Sequence, residues 1–180
     1  MAIRKSELRA RAKKVRLLIL DVDGVLTDRR IIVTSNGTQT KSFDVQDGFS
    51  LVVARKAGIK TAIITAGKSN VVTLRAEQLK LDWVAKFAQD KKKAFEECLR
   101  HFRTAPAATA YIGDDLPDLP VLMKVGFSAS VADGRPEVKR RVHYVTKASG
   151  GRGAVREVVE LILHAQGHWP RIVRRYLANG

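Results

Sequence analysis

Short apolar runs alternate with amphipathic segments along most of the chain. Five runs have the length of buried strands: residues 17–20, 61–64, 108–112, 127–131 and 142–145. Five segments show the 3.6-residue period of helices, most of them opened by Ser, Asp or Pro: residues 49–57, 70–80, 91–103, 117–124 and 153–166. This alternation predicts the α/β class, with a doubly wound, Rossmann-like parallel sheet.

One segment departs from this alternation. Residues 30–43 contain two β-rich runs around Ser35-Asn36-Gly37, and Asn-Gly is a strong signal for a hairpin turn. The pattern therefore predicts a β-hairpin between the first strand and the first helix. We expect one domain over residues 16–168, with a basic extension at 1–15 and a basic tail at 169–180, both mobile.

The composition fits a single globular domain of 180 residues, of which 45% are apolar. An uninterrupted apolar run of membrane-spanning length is absent from the sequence, and the basic start is followed by more charge rather than by a signal core. Cys98 is the only cysteine and lies among apolar residues at helical spacing, so we expect it in the core. We predict a cytoplasmic protein.

The net charge of +15 raises the possibility of nucleic-acid binding. Residues 1–16, residues 139–156 and three C-terminal arginines carry the whole excess, so the other residues are neutral in sum. A basic nucleic-acid-binding protein with a vestigial core is therefore the less favoured of two function classes. His164 and His168 have the i,i+4 spacing of a zinc pair, but Gly167 interrupts the helix and a third ligand is missing.

The aspartates are concentrated where predicted strands end. Eight of the eleven lie in three clusters: Asp21/Asp23/Asp28, Asp44/Asp47 and Asp114/Asp115/Asp118. Because the carboxyl ends of parallel strands meet at one edge of a sheet, the first and third clusters should lie close together. Carboxylates that repel one another at close range require a cation, and oxygen ligands alone favour Mg²⁺.

Two further residues complete a predicted phosphate site. Thr65 ends the strand at 61–64, and Lys91 begins the helix after Asp90. A hydroxyl, an ammonium group and the positive end of a helix all suit phosphate oxygens. Lys91 is the only member of the run Lys91-Lys92-Lys93 to which we assign a site role.

These motifs resemble those of haloacid dehalogenase superfamily phosphatases. The matching segments are DVDGVLTD at 21–28, IIT at 63–65, the helix start at Lys91 and GDDLPD at 113–118. More narrowly, FDVQDG at 43–48, the hairpin in place of a large cap domain and GGRGAVRE at 150–157 resemble the 3-deoxy-D-manno-octulosonate 8-phosphate (KDO 8-phosphate) phosphatase family. The resemblance covers about residues 16–168 and implies an enzyme of lipopolysaccharide biosynthesis.

The resemblance also implies roles. Asp21 would attack phosphorus and form an aspartyl phosphate, and Asp23 would act as general acid and base. Asp21, Asp114 and the backbone carbonyl of Asp23 would hold Mg²⁺. Thr65 and Lys91 would bind the phosphoryl group.

The remaining implied residues lie outside the transfer chemistry. Asp118 would orient Lys91 or a water on the metal, with Asp115 beside it in the same supporting layer. The resemblance assigns sugar binding to Asp44, Asp47, Gly48, Lys91, Arg75 and Arg152. It further implies a homotetramer formed around the hairpins, in which a Gly-rich tail with Arg152 reaches a neighbouring active site.

Four departures from the family pattern fall on the sugar-recognition residues and their surroundings. Ala66-Gly67 stands where members usually have Gly-Arg, and Val52 stands at a second arginine position. Asp44 replaces a frequent Asn, and Arg29 replaces a frequent Gly. Since lost guanidinium groups remove bidentate contacts to a carboxylate, a nine-carbon sugar acid phosphate or another phosphorylated metabolite is the alternative substrate.

Overall fold

The structure, a computed structural model, describes residues 3–178. Six parallel strands form the main sheet: β1 (Leu17–Leu20), β4 (Lys60–Ile64), β5 (Trp83–Ala85), β6 (Thr109–Ile112), β7 (Phe127–Ser130) and β8 (Tyr144–Val145). Two short strands form a separate hairpin: β2 (Ile32–Val33) and β3 (Gln39–Thr40). The helices are α1 (Lys5–Lys13), α2 (Val45–Lys56), α3 (Asn70–Gln78), α4 (Lys91–Phe102), α5 (Leu119–Leu122), α6 (Pro136–Lys139), α7 (Ala154–Ala165) and α8 (Trp169–Ala178).

The strand order is β5-β4-β1-β6-β7-β8, with all neighbouring pairs parallel. The chain therefore adds β4 and β5 on one side of β1 and then crosses back to add β6, β7 and β8 on the other side. This reversal creates a crevice at the carboxyl ends of β1, β4 and β6, where doubly wound proteins bind their ligands. The predicted fold class is confirmed, and the described residues include no large cap domain.

Alternation along β1 divides the interior into two cores. Leu18 and Leu20 face a layer that contains α1, α2, α3 and α7, whereas Leu17 and Ile19 face α4, α5 and α6. All four side chains are fully buried, so the strand is apolar on both faces, as a central parallel strand must be. Cys98 is buried in the second core, as its apolar neighbours predict.

The hairpin confirms the Asn-Gly prediction, although its paired strands are shorter than the segment at 30–43. The amide of Thr34 donates to the carbonyl of Thr38, and Gly37 adopts a φ of 81° in the turn. Ile31, Ile32 and Val33 are 49%, 62% and 63% exposed. This projecting apolar ridge lies outside both cores.

Both basic ends, which the sequence analysis expects to be mobile, contain helices that pack on the domain. Leu8 and Ala12 of α1 pack against the first core, as do Trp169 and Ile172 of α8. The apolar residues recur at helical spacing between the arginines, so one face of each helix can be buried while the charges stay in water. The first two and last two residues of the predicted extensions lie outside the described residues.

Two other differences concern strand β5 and the start of α2. Strand β5 was not predicted because its three half-buried residues are too few to show a period. Helix α2 begins at Val45 rather than at residue 49, because the Asp44 carboxylate accepts hydrogen bonds from the amides of Gln46 and Asp47 and so caps the helix. None of the helices in the described part of the chain has the length and apolar character needed to cross a bilayer.

Asp47 joins α2 to the start of α7. Its carboxylate accepts hydrogen bonds from the amide of Gly153 at 3.2 Å and from the amide of Arg156 at 2.8 Å. Asp47 is 1% exposed. Burial raises its pKa to about 6, although the hydrogen bonds that it accepts from backbone amides oppose this shift. Asp47 therefore caps a helix that lies more than 100 residues away in the sequence.

We expect Asp47 to make the stability of the fold depend on pH. Its folded pKa of about 6 lies above the ordinary value of 3.8, so its contribution is full below about pH 4 and is lost as the pH rises through 6. In the Asp47→Asn variant, the fall in unfolding free energy between pH 4.5 and 7.5 should be smaller than in the wild type by about 1–3 kcal/mol. Urea unfolding in EDTA at the two pH values measures this difference.

The control is Asp90→Asn, which alters the exposed N-cap of α4. Asn caps helices as well as Asp does, so in this variant the unfolding free energy should fall between pH 4.5 and 7.5 as much as in the wild type. An equal fall in the Asp47→Asn variant would contradict the proposed role of Asp47 in the pH dependence.

Candidate active site

The ends of three adjacent strands bring the predicted catalytic residues together. Asp21 follows β1, Thr65 follows β4 and Asp114 follows β6, and all three are buried. The register aligns Leu20 of β1 with Ile63 on one side and Ile112 on the other, so the chain leaves all three strands at a similar height. The site therefore lies in the crevice that the strand order creates.

Lys91 connects two of the buried carboxylates. Its Nζ lies 2.9 Å from Asp21 Oδ1 and 2.7 Å from Asp118 Oδ1. The lysine is the first residue of α4, and Asp90 caps that helix by accepting the amide of Lys93. The ammonium group is thus held next to the carboxylate that would attack phosphorus.

Among the buried carboxylates of the site, Asp118 accepts the most hydrogen bonds. Besides Lys91, it accepts the Tyr111 hydroxyl at 2.7 Å and the amides of Asp114 and Asp115 at 2.9 and 3.2 Å. Asp115 in turn caps the short 3₁₀ helix at Leu116–Asp118 and is exposed. Asp118 therefore fixes both the lysine and the loop that carries Asp114.

Burial sets the protonation of this cluster. Burial, reinforced by the charge of Asp118, raises the pKa of Asp21 to about 7, although Lys91 opposes the shift. Burial also raises the pKa of Asp114 to about 6. Burial alone would lower the pKa of Lys91, but Asp21 and Asp118 outweigh it and the pKa is raised. The lysine is therefore charged at neutral pH.

The cluster fits a divalent cation. Asp21, Asp114 and Asp118 each offer a carboxylate oxygen, and these oxygens lie within 4.8 Å of one another. Asp114 Oδ1 is buried without a hydrogen-bond partner among the described residues. Because a buried, unpartnered carboxylate oxygen is costly, this atom is suited to a metal ion, and an all-oxygen set suits Mg²⁺.

Arg29 lies on the other side of Asp114. Its Nε donates to Asp114 Oδ2 at 2.8 Å, and its guanidinium also contacts the Asp133 carboxylate at 3.2 Å and the Asp133 carbonyl at 2.7 Å. Gly24 permits this approach, because it has a φ of 100° and a Cβ there would clash with Asp114 Oδ2.

Asp23 belongs to a second group of residues, next to the cluster of Asp21, Asp114 and Asp118. Its carboxylate forms an ion pair with Lys41, whose side chain is almost fully buried, rather than joining the three-carboxylate cluster. A Cβ added at Gly67 would lie 3.3 Å from Thr65 Oγ1, 3.4 Å from Asp23 Oδ2 and 3.8 Å from Lys41 Nζ. Thr65, Asp23 and Lys41 therefore surround the position where family members usually carry arginine.

A family model described as haloacid dehalogenase-like hydrolase matches residues 51–158. The chain belongs to this family. The 3-deoxy-D-manno-octulosonate 8-phosphate phosphatase of Escherichia coli strain K12 is 46% identical over 158 residues, which are 88% of this chain and 84% of the relative. The hydrolase thus belongs to the KDO 8-phosphate phosphatase family, as its motifs indicate.

Solved structures of relatives superpose closely on this hydrolase. The 3-deoxy-D-manno-octulosonate 8-phosphate phosphatase of Moraxella catarrhalis, in complex with a magnesium ion, a phosphate ion and a KDO molecule, gives a TM-score of 0.94 at 39% identity and covers 96% of this chain and 99% of that one. The Yersinia pestis phosphatase of the same name gives a TM-score of 0.89 at 42% identity and covers 90% and 88%.

Some residues predicted to bind sugar have structural contacts in the hydrolase. Asp44 caps α2, and the Asp47 carboxylate is engaged by α7. Arg75 donates to the Asp44 carbonyl at 3.3 Å and stacks over Phe43, and Gly48 leaves room for its guanidinium. These contacts order the segment at 43–48, and the buried Asp47 carboxylate is not presented to a ligand.

The Gly-rich segment, expected to be a tail, lies inside the domain between β8 and α7. Gly150 and Gly151 pack against the backbone of Gly24 and Thr27 in the same chain, and the amide of Gly151 donates to the carbonyl of Val25. The segment is a tight turn that leads into α7, and the exposed Arg152 follows directly. Arg152 therefore lies next to its own chain's catalytic loop.

Three residues of the site were not predicted: Lys41, Tyr111 and the contact role of Arg29. Tyr111 lies in the apolar run of β6. A tyrosine hydroxyl that is buried there needs an acceptor, and this need was the available signal for its contact. Lys41 is one of 33 Lys and Arg residues, and nothing local distinguishes it. The position of Arg29, directly after the DVDGVLTD motif and in place of a frequent Gly, was the available signal for its contact.

We expect Tyr111→Phe to weaken both the fold and the reaction of the hydrolase. The change removes one donor from the buried Asp118, which should lower the unfolding free energy by about 1 kcal/mol. Because Asp118 positions Lys91, kcat should fall about tenfold. Denaturant unfolding and steady-state phosphate release measure the two effects.

Tyr144→Phe is a matched control for this variant. The Tyr144 hydroxyl donates to Glu157 Oε1 at 2.6 Å, and Tyr144 lies on the edge strand β8, two strands away from β6. This control should show a similar loss of stability with an unchanged kcat. An equal kcat in both variants would contradict the positioning role of Tyr111.

Proposed function

We propose that the chain is an Mg²⁺-dependent phosphatase that hydrolyses KDO 8-phosphate to KDO and inorganic phosphate, in lipopolysaccharide biosynthesis. The observation that carries this proposal is the buried Asp21–Lys91–Asp118 cluster next to Asp114, in a chain 46% identical to an enzyme of that name. A phosphorylated metabolite as substrate and the free thiol of Cys98 favour a cytoplasmic location.

The chemistry follows from the two groups of residues. An Asp21 oxygen attacks phosphorus while the bond from phosphorus to the sugar oxygen breaks, and Asp23 gives its proton to that oxygen. A water then attacks the aspartyl phosphate, Asp23 takes the proton, and inorganic phosphate leaves with Asp21 restored. This role requires the contact between Asp23 and Lys41 to open, and Asp23 is partly exposed next to Thr65, outside the carboxylate cluster.

Lys91 and Thr65 hold the phosphoryl group during both steps. The Lys91 ammonium already contacts Asp21, so it lies where the phosphoryl oxygens approach the nucleophile. Asp21, Asp114 and the carbonyl of Asp23 would hold the metal ion, whose charge would offset that of the phosphoryl oxygens.

Sugar recognition in this proposal depends on cations at the rim of the site. Arg152 is exposed beside the loop that carries Asp23 and Gly24, and Arg75 lies over the segment at 43–48. Their guanidinium groups suit the carboxylate of a sugar acid. Gly67 lacks the arginine side chain that family members usually carry at this position, which favours testing larger sugar acids, including nine-carbon acids, as alternative substrates.

We expect Asp21→Asn to lower turnover of KDO 8-phosphate by about 10⁴-fold or more, because the amide cannot act as the nucleophile. Phosphate release with Mg²⁺, and again with excess EDTA, measures the activity, and circular dichroism checks the fold. Asp82→Asn is the matched control, since Asp82 contacts Thr61 at the amino end of the sheet. Full activity of Asp21→Asn would contradict the mechanism.

A panel of phosphorylated sugar acids tests the substrate separately. We expect KDO 8-phosphate to have the highest kcat/KM of the panel. A nine-carbon sugar acid phosphate with a higher value would overturn the substrate assignment while the phosphatase assignment stood.

We also propose that the phosphatase is a homotetramer assembled through the hairpins. The exposed Ile31, Ile32 and Val33 support this, because isolated hairpins rarely keep three consecutive apolar side chains in water. Replacing Ile32 by Asp should shift the mass measured by light scattering from tetramer to a smaller species. Thr38→Asp, a charge added in the turn, is the control, and a wild-type monomer would contradict the proposal.

A further inference from the structure

Arg29 joins three loops at the edge of the carboxylate cluster. Its guanidinium contacts Asp114 Oδ2 at 2.8 Å and, on the loop after β7, the carbonyl and carboxylate of Asp133 at 2.7 and 3.2 Å. The Asp133 carboxylate also accepts the amide of Gly150 at 2.9 Å. One side chain thus links the catalytic loop to the loop of Asp114 and to the loop after β7, whose Asp133 holds the turn before α7.

The backbone of Arg29 has the left-handed conformation that favours glycine, with a φ of 70°. Lys80, Phe87 and Arg103 adopt a similar conformation, so the backbone alone does not mark Arg29 as functional. Its three guanidinium contacts do distinguish it. An arginine in contact with a buried carboxylate is more than a solvated surface charge.

Arg29 completes a set of protein cations around the cluster. Lys91 contacts Asp21 and Asp118, whereas Arg29 contacts Asp114. Every carboxylate of the cluster therefore has a cationic partner before any ion binds. Arg29 occupies Oδ2 of Asp114 and leaves Oδ1 without a partner among the described residues.

We propose that Arg29 is an internal counter-cation that competes with Mg²⁺ for Asp114 and thereby weakens the metal affinity of the site. The inference rests on the proposed Mg²⁺-dependent function. The guanidinium repels a divalent ion on the same carboxylate, and it offsets the repulsion among the carboxylates when the ion is absent. Both effects favour the metal-free state relative to the metal-bound state.

The test compares Mg²⁺ binding to the wild type, Arg29→Asn and Arg30→Asn after treatment with EDTA and its removal. Asn tolerates the left-handed conformation and removes the charge. The Arg30 side chain is exposed and makes no hydrogen bond or ion pair with the described residues, so its variant removes the same charge from the same loop. Isothermal titration calorimetry gives the Kd, and thermal unfolding with and without saturating Mg²⁺ gives the metal-induced shift in Tm.

We expect Arg29→Asn to bind Mg²⁺ about fivefold or more tightly than the wild type, with a larger metal-induced rise in Tm. Arg30→Asn should match the wild type. Arg29→Lys, which keeps the charge, should stay closer to the wild type than Arg29→Asn does. Arg29→Gly also removes the charge and suits the left-handed backbone, so it serves as the test if the Asn variant does not fold.

Equal affinities in Arg29→Asn and Arg30→Asn would overturn the inference, and so would weaker binding in Arg29→Asn, which would show that Arg29 organises Asp114 for the ion. A wild type that binds no Mg²⁺ by calorimetry or by Tm would overturn the Mg²⁺-dependent function as well. The two failures are therefore distinguishable.

Discussion

Confining three aspartates at the end of a parallel sheet is the constraint on which the rest of the site depends. Like charges at such separations, shielded from water, destabilise the fold unless each has a partner. The protein supplies partners of three kinds: cations from α4 and from the catalytic loop, a tyrosine hydroxyl from β6, and backbone amides from the loop of Asp114. These partners come from segments far apart in the sequence, so the site forms only when β1, β6 and α4 have come together.

The large positive charge is separate from this chemistry. The N-terminal and C-terminal basic residues lie on helices whose apolar faces pack on the domain, which leaves the arginines in water around an acidic centre. Such a distribution attracts anionic substrates toward the protein without placing surplus cations among the catalytic carboxylates. Composition alone suggests a polyanion partner, whereas the positions of the charges favour a small anionic metabolite.

The sequence was sufficient to predict residues whose position follows from a strand end. Asp21, Thr65 and Asp114 each follow an apolar run, and the topology of a doubly wound sheet brings such residues together. Residues placed by contacts between distant segments could not be predicted. Asp47 lies in a segment typical of a substrate site but caps a helix that begins 107 positions later, and Lys41 reaches Asp23 through a fold that no local period encodes.

The turn at Gly150 and Gly151 has a consequence for the order in which the enzyme is made. Its backbone is pressed against the catalytic loop near Gly24, and a side chain at either glycine would collide with that loop. The loop made first on the ribosome is therefore completed by residues made more than 120 positions later. The three carboxylates of the cluster are all made by position 118, whereas the turn that packs on the catalytic loop follows more than 30 positions later, so this loop gains its packing partner only after the whole cluster has been made.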